Sequence, residues 1–117
     1  MLKYHKLEIY HLAKKLVSDC YNITNFFPET ERFGLSSQMN RAAISVASNI
    51  VEGSTRNSDR DTKYFINISY SSLMELICQT EIAYDLKFIS NNDFEIFSEE
   101  AIKLSIKITN FAKSLNN

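Results

Sequence analysis

Apolar residues recur at helical spacing along almost the whole chain, and polar runs divide the pattern into four segments. In the first, Ile9, Ala13, Leu16, Cys20, Ile23 and Phe27 alternate steps of four and three residues, the spacing of a heptad seam. Phe26, Phe27 and Pro28 end it, because the residue before a proline is pushed out of the helical region. Residues 29–33 predict a short helical turn, and Gly34 separates it from a second helix over 35–52. There Leu35, Met39, Ala42, Ala43, Val46 and Ile50 share one face, and Arg41, Ser45, Ser48 and Glu52 share another. Ala42, Ala43 and Ala47 allow a neighbouring helix to approach closely, which favours one register over its alternatives. Gly53 is expected to close this helix in the left-handed conformation.

After a small, polar stretch at 54–58, Ser58 predicts an N-cap with Asp61 at N3 and acidic residues beside the positive end of the helix dipole. The third helix then runs to Leu86 or Lys87. Its apolar positions form three stripes: Phe65, Ile68, Ser72, Leu76 and Ala83; Ile66, Tyr70, Leu73, Ile77 and Tyr84; and Met74, Cys78 and Ile82. A surface helix needs an apolar stripe of only about 100°. The surplus predicts that another subunit covers part of it, with Met74, Cys78 and Ile82 as the interface candidates. The fourth helix is expected to start at Asn92 as cap with Glu95 at N3, and to carry Phe94, Phe97, Ala101, Leu104, Ile108, Phe111 and Leu115 on one seam. Four helices of about 30 Å each, joined by short polar connections, predict an all-α, antiparallel up-down-up-down four-helix bundle.

Composition narrows this further. A chain of 117 residues is one domain, 1–117, and two glycines with one proline leave few breaks for long helices. Thirteen Lys and Arg against 14 Asp and Glu give a formal charge of −1, so no general attraction to nucleic acid or anionic lipid arises. Without an 18-residue apolar run or a signal-peptide pattern, the chain reads as cytoplasmic, with no membrane segment. Cys20 and Cys78 each lie among apolar neighbours and read as buried, reduced thiols.

The chemistry the residue types offer is slight. Glu8 and His11 form one Glu-x-x-His, but a di-iron site of that kind requires a second copy and two further carboxylates, and His5 is the only other histidine. A helical ribonuclease that sets an Arg four to six residues ahead of a His would need a histidine after Arg41, Arg56 or Arg60, and none is present. No group orients a base for Cys-His catalysis, and no glycine-rich phosphate loop occurs. The chain therefore reads as non-enzymatic, with no cofactor, no metal and no small-molecule substrate. Two surfaces remain. Arg41, Ser45, Ser48, Asn49 and Glu52 form a polar stripe that reads as a register device, Arg41 and Glu52 pairing with Glu75 or Gln79 of another helix, within or between subunits. One Arg beside one Glu suits pairing better than phosphate binding. The outward face of the first helix, with Lys3, His11, Lys14 and Lys15, is the most basic surface and the candidate for weak nucleic-acid contact.

The run Phe27-Pro28-Glu29-Thr30-Glu31-Arg32-Phe33-Gly34-Leu35-Ser36-Ser37-Gln38 leads into a longer pattern. It continues through Arg41-Ala42-Ala43-Ile44-Ser45-Val46, Asn49-Ile50-Val51-Glu52-Gly53, Tyr64-Phe65 and Ser72-Leu73-Met74-Glu75-Leu76. This pattern resembles the 23S rRNA intervening-sequence protein family, often labelled simply four helix bundle protein, over nearly the whole chain. The resemblance implies an antiparallel four-helix bundle assembled as a homopentameric ring. It also implies similarity to the accessory variability determinant of diversity-generating retroelements, a basic pentamer that partners a reverse transcriptase and binds nucleic acid. The chain departs from the family pattern at Ser71, where glycine is usual, and in its slightly acidic charge. Two functions follow as expectations: an oligomeric scaffold or interaction module, and an accessory nucleic-acid binder acting beside a reverse transcriptase or the ribosome.

Overall fold

A computed structural model describes residues 2–116. It contains four helices, α1 (Glu8–Thr24), α2 (Leu35–Ser54), α3 (Asp59–Asp85) and α4 (Asn91–Ser114), with 3₁₀ turns at Lys3–Lys6 and Glu29–Glu31. The described residues form an all-α four-helix bundle, 43 Å long and 23 Å across. Each helix packs on its neighbours in the chain, and α4 closes the bundle against α1. Gly53 meets Thr62 and Phe65, Val46 meets Ser69 and Ser45 meets Ser72. As the α2 number falls the α3 number rises, so these two helices are antiparallel. Lys15 with Glu100 and Glu8 with Lys107 show the same for α1 and α4.

The core follows the seams. Ile9, Ala13, Leu16 and Cys20 of α1 face Met39, Ala42, Ala43, Val46 and Ile50 of α2, with Ile66, Leu73, Leu76 and Ala83 of α3 and Phe97, Ala101, Leu104 and Ile108 of α4. Burying the larger of these, the Ile, Leu, Val, Met and Phe side chains, contributes about 1.5–3 kcal/mol each. Near the end of α1 the polar Thr24 is buried while Ile23 is half-buried, because the Thr24 hydroxyl finds a partner in Asn40 Oδ1 at 3.1 Å.

Two local expectations are corrected. Gly53 does not close α2: it lies inside the helix, and no glycine has a positive φ. A Cβ there would lie 3.1 Å from the Thr62 carbonyl oxygen and 3.2 Å from Phe65 Cβ, so the glycine is needed for close approach of α3. Among the described residues the left-handed one is Lys87, φ 65°. It ends α3 with the Phe88 N–H bonded to the Ala83 carbonyl at 2.9 Å and the Lys87 N–H to that of Tyr84 at 2.9 Å, a Schellman pair. At α4 the cap is Ser90, whose hydroxyl accepts from the Asp93 N–H at 3.1 Å, and not Asn92. Ser58 does cap α3, accepting from the Asp61 N–H at 3.2 Å.

Candidate functional site

The polar stripe of α2 divides into separate parts. Ser45 Oγ and Ser72 Oγ lie 2.8 Å apart and tie α2 to α3. The Asn49 amide donates to the Ser45 carbonyl at 2.9 Å and to its hydroxyl at 3.0 Å, which fixes the serine rotamer. Glu52 takes neither Glu75 nor Gln79 as a neighbour in a pair: its carboxylate accepts from Arg56 at 2.7 Å. Arg56 also donates Nε–H to the Glu52 carbonyl at 3.3 Å, and a guanidinium at a helix C-terminus is favoured by the dipole. Its other side covers the Phe65 ring, 4.7 Å from the centroid.

Arg41 is exposed and has no ion-pair partner among the described residues. It shares an open groove of about 330 Å³ with Gln38, Glu75 and Gln79. Gln79 is buried, and its Oε1 is without a hydrogen bond among the described residues. A buried amide carbonyl left unpaired is destabilising by about 1–3 kcal/mol, and none of the donors in the groove, Arg41 included, bonds to it.

The basic face of α1 is less basic than its composition. Lys15 donates to Asp19 at 2.8 Å and to Glu100 of α4 at 2.9 Å. Those hydrogen bonds, with Asp19 first and Glu100 second, hold its ammonium above the usual lysine range. The His11 ring donates Nε2–H to the His5 carbonyl at 2.7 Å, and the Lys14 ammonium lies over the Tyr10 ring, 5.5 Å from its centroid. Glu8 of the Glu-x-x-His pairs with Lys107 at 3.2 Å. Among the described residues no group of three or more His, Cys, Asp or Glu side chains is placed to hold a metal ion. Among the described residues no helix is long and apolar enough to cross a membrane.

The interface candidates fall on two sides of a boundary. Met74 is half-buried and packs on the core, whereas Cys78 and Ile82 are exposed one turn apart on the outer face of α3. Cys78 is thereby corrected from a buried thiol to an exposed one. Cys20 is fully buried, and burial pushes its thiol up to about 12, so it stays protonated and donates to Asn40 Oδ1 at 3.4 Å.

One site was missed in the sequence. Between the end of α1 and the start of α2 lies an open cavity of about 660 Å³, with Arg32, Phe33, Ser36, Asn40 and Arg41 in its lining. The legible signal was an Arg-Phe pair in the turn after Pro28, with no apolar periodicity to bury the phenylalanine; Phe33 is 89% exposed.

No curated protein matches the chain. Among solved structures, a protein of unknown function from the S23 ribosomal protein family of Bacteroides thetaiotaomicron superposes with a TM-score of 0.84. The match is at 19% identity over 90% of this chain and 98% of the other, a likeness of fold. The family model for the 23S rRNA-intervening sequence protein matches residues 5–110. With nearly the whole bundle inside that match, the chain belongs to the 23S rRNA-intervening sequence protein family.

Proposed function

We propose that this protein is a cytoplasmic, non-enzymatic oligomeric scaffold that works by presenting repeated surfaces to a partner, and that it assembles as a homopentamer. The observation that carries the reading is apolar surface on the outer faces of the bundle: Ile82 of α3 is 45% exposed, and Ile102 and Ile106, one turn apart on α4, are 50% and 57% exposed. Outward isoleucines in this number favour burial by another molecule. The unpaired Gln79 carbonyl beside Arg41 adds a polar group that a second subunit would satisfy. Five-fold assembly is what the family resemblance implies. Light scattering at micromolar concentration tests it: the expected mass is five times the 13.5 kDa of the chain, and a monomer mass overturns the reading.

A second reading, weak accessory binding of nucleic acid, is favoured by Lys3 and Lys14, which remain exposed without ion-pair partners among the described residues. Five copies around a ring would act on one strand together, and repetition raises effective concentration.

A further inference from the structure

The cavity between α1 and α2 holds polar groups that its own fold leaves unused. Five hydroxyl side chains are buried in the described residues: Thr24, Ser36, Ser54, Ser69 and Thr80. Ser54 donates to the Val51 carbonyl, Ser69 to that of Val46, Thr80 to that of Leu76 and Thr24 to Asn40. Ser36 is the exception: it is 9% exposed, its hydroxyl has no partner among the described residues, and it lines the cavity. It also sits in the first turn of α2, a 20-residue helix. Glu31 Oε1 takes the Leu35 N–H at 3.1 Å, but the next N–H groups of that turn have no acceptor within the helix.

Three further features converge on the same space. Asn40 Oδ1 is occupied by Cys20 and Thr24, which leaves its amide N–H groups for a ligand. Arg32 and Arg41 line the cavity without ion pairs. The Arg32 guanidinium lies 5.4 Å from the centroid of the Phe33 ring, and the ring is otherwise open. Guanidiniums, a hydroxyl and helix N–H groups suit a phosphate. An open aromatic face backed by an arginine suits a stacked base. Glu29, also in the lining, is an acceptor that a bare phosphate would repel, and that ribose hydroxyls or a base amino group would satisfy.

We propose that this cavity is a nucleotide site, taking one phosphate-bearing nucleotide per chain with the base on Phe33 and the phosphate toward Ser36, Arg32 and Arg41. The chemistry is the same for a free mononucleotide and for a unit of a single strand. Isothermal titration calorimetry of the assembled protein tests it with adenosine and uridine 5′-monophosphates, inorganic phosphate, adenosine, and a short single-stranded RNA. The expected result is one saturable site per chain, with phosphate and adenosine each at least about tenfold weaker than the mononucleotide. Phe33→Ala, on an exposed side chain, and Ser36→Ala should each weaken binding about three- to tenfold without changing the mass of the assembly. RNA that competes with the mononucleotide assigns the site to strands; RNA that does not compete assigns it to free nucleotides. Absence of heat up to about 10 mM mononucleotide, or binding indifferent to Phe33→Ala and Ser36→Ala, overturns the proposal. So does a Phe33→Ala variant of reduced mass when the wild type binds no nucleotide, which makes the face a contact between copies.

Discussion

At the scale of single residues, glycine and lysine exchange the roles that composition assigns them. A glycine at the end of an apolar-periodic run reads as a left-handed cap, because that is the commonest use of glycine there. What the sequence does not display is the distance to a partner helix: Gly53 is helical and needed because the Thr62 carbonyl and Phe65 Cβ crowd the place of its missing Cβ. Lys87 occupies the left-handed position at α3 instead. Two opposite outcomes follow. An alanine in a helix interior normally gains about 1 kcal/mol over glycine, yet Gly53→Ala should lose about 1–2 kcal/mol through overpacking against backbone. Lys87→Gly should gain about 0.5–1 kcal/mol, relieving a left-handed side-chain penalty of about 1–2 kcal/mol against the glycine's unfolded-state entropy. Urea melts of the two variants check both signs. Cys78 was misplaced for a related reason: apolar neighbours in sequence say nothing of which side of a helix with three apolar stripes faces out.

The four elements themselves, and the seams of α1, α2 and α4, were legible because each has one dominant apolar face. Boundaries were less so where several residues compete. Ser90, Asn91, Asn92 and Asp93 can each cap a helix, and the choice is made by packing. With Ser90 as cap, N′ is Ile89, which is buried, and N4 is Phe94, which packs on the core, the two positions of a hydrophobic staple. With Asn92 as cap, N4 would be Ile96, which is 52% exposed. Phe88, against Phe27 with centroids 5.5 Å apart, draws the connection in from the same side. Ser90→Ala should therefore cost about 1 kcal/mol, while Asn92→Ala should leave stability within about 0.5 kcal/mol. Denaturant midpoints measured side by side distinguish them, and a larger loss from Asn92→Ala than from Ser90→Ala would return the cap to Asn92.

For the molecule as a whole, the distribution of charge matters more than its total. The polar stripe on α2 was visible as a pattern, but its partners depended on distances between elements. Likewise the lysines of this face, Lys3, Lys14 and Lys15, look equivalent in the sequence until α4 brings Glu100 to Lys15. Together with Asp19, that carboxylate neutralises the centre of the basic face. Lys3 and Lys14 are left, on a chain of formal charge −1, so each added subunit also adds net negative charge. Phosphate contacts through so few cations gain affinity chiefly from counterion release, which falls steeply as salt rises. Fluorescence anisotropy with single- and double-stranded RNA and DNA at about 50 and 150 mM salt measures that fall directly. The expected outcome is weak binding at the lower salt, none at the higher, and a loss at low salt in a Lys3→Glu, Lys14→Glu variant. Both positions are exposed, and neither has an ion pair to lose among the described residues, so the substitutions should leave the fold intact. Tight binding at the higher salt that survives the double substitution would move the contact away from α1, and the arginine-lined cavity at the head of α2 would be the next surface to test, through Arg32→Glu in the same titration.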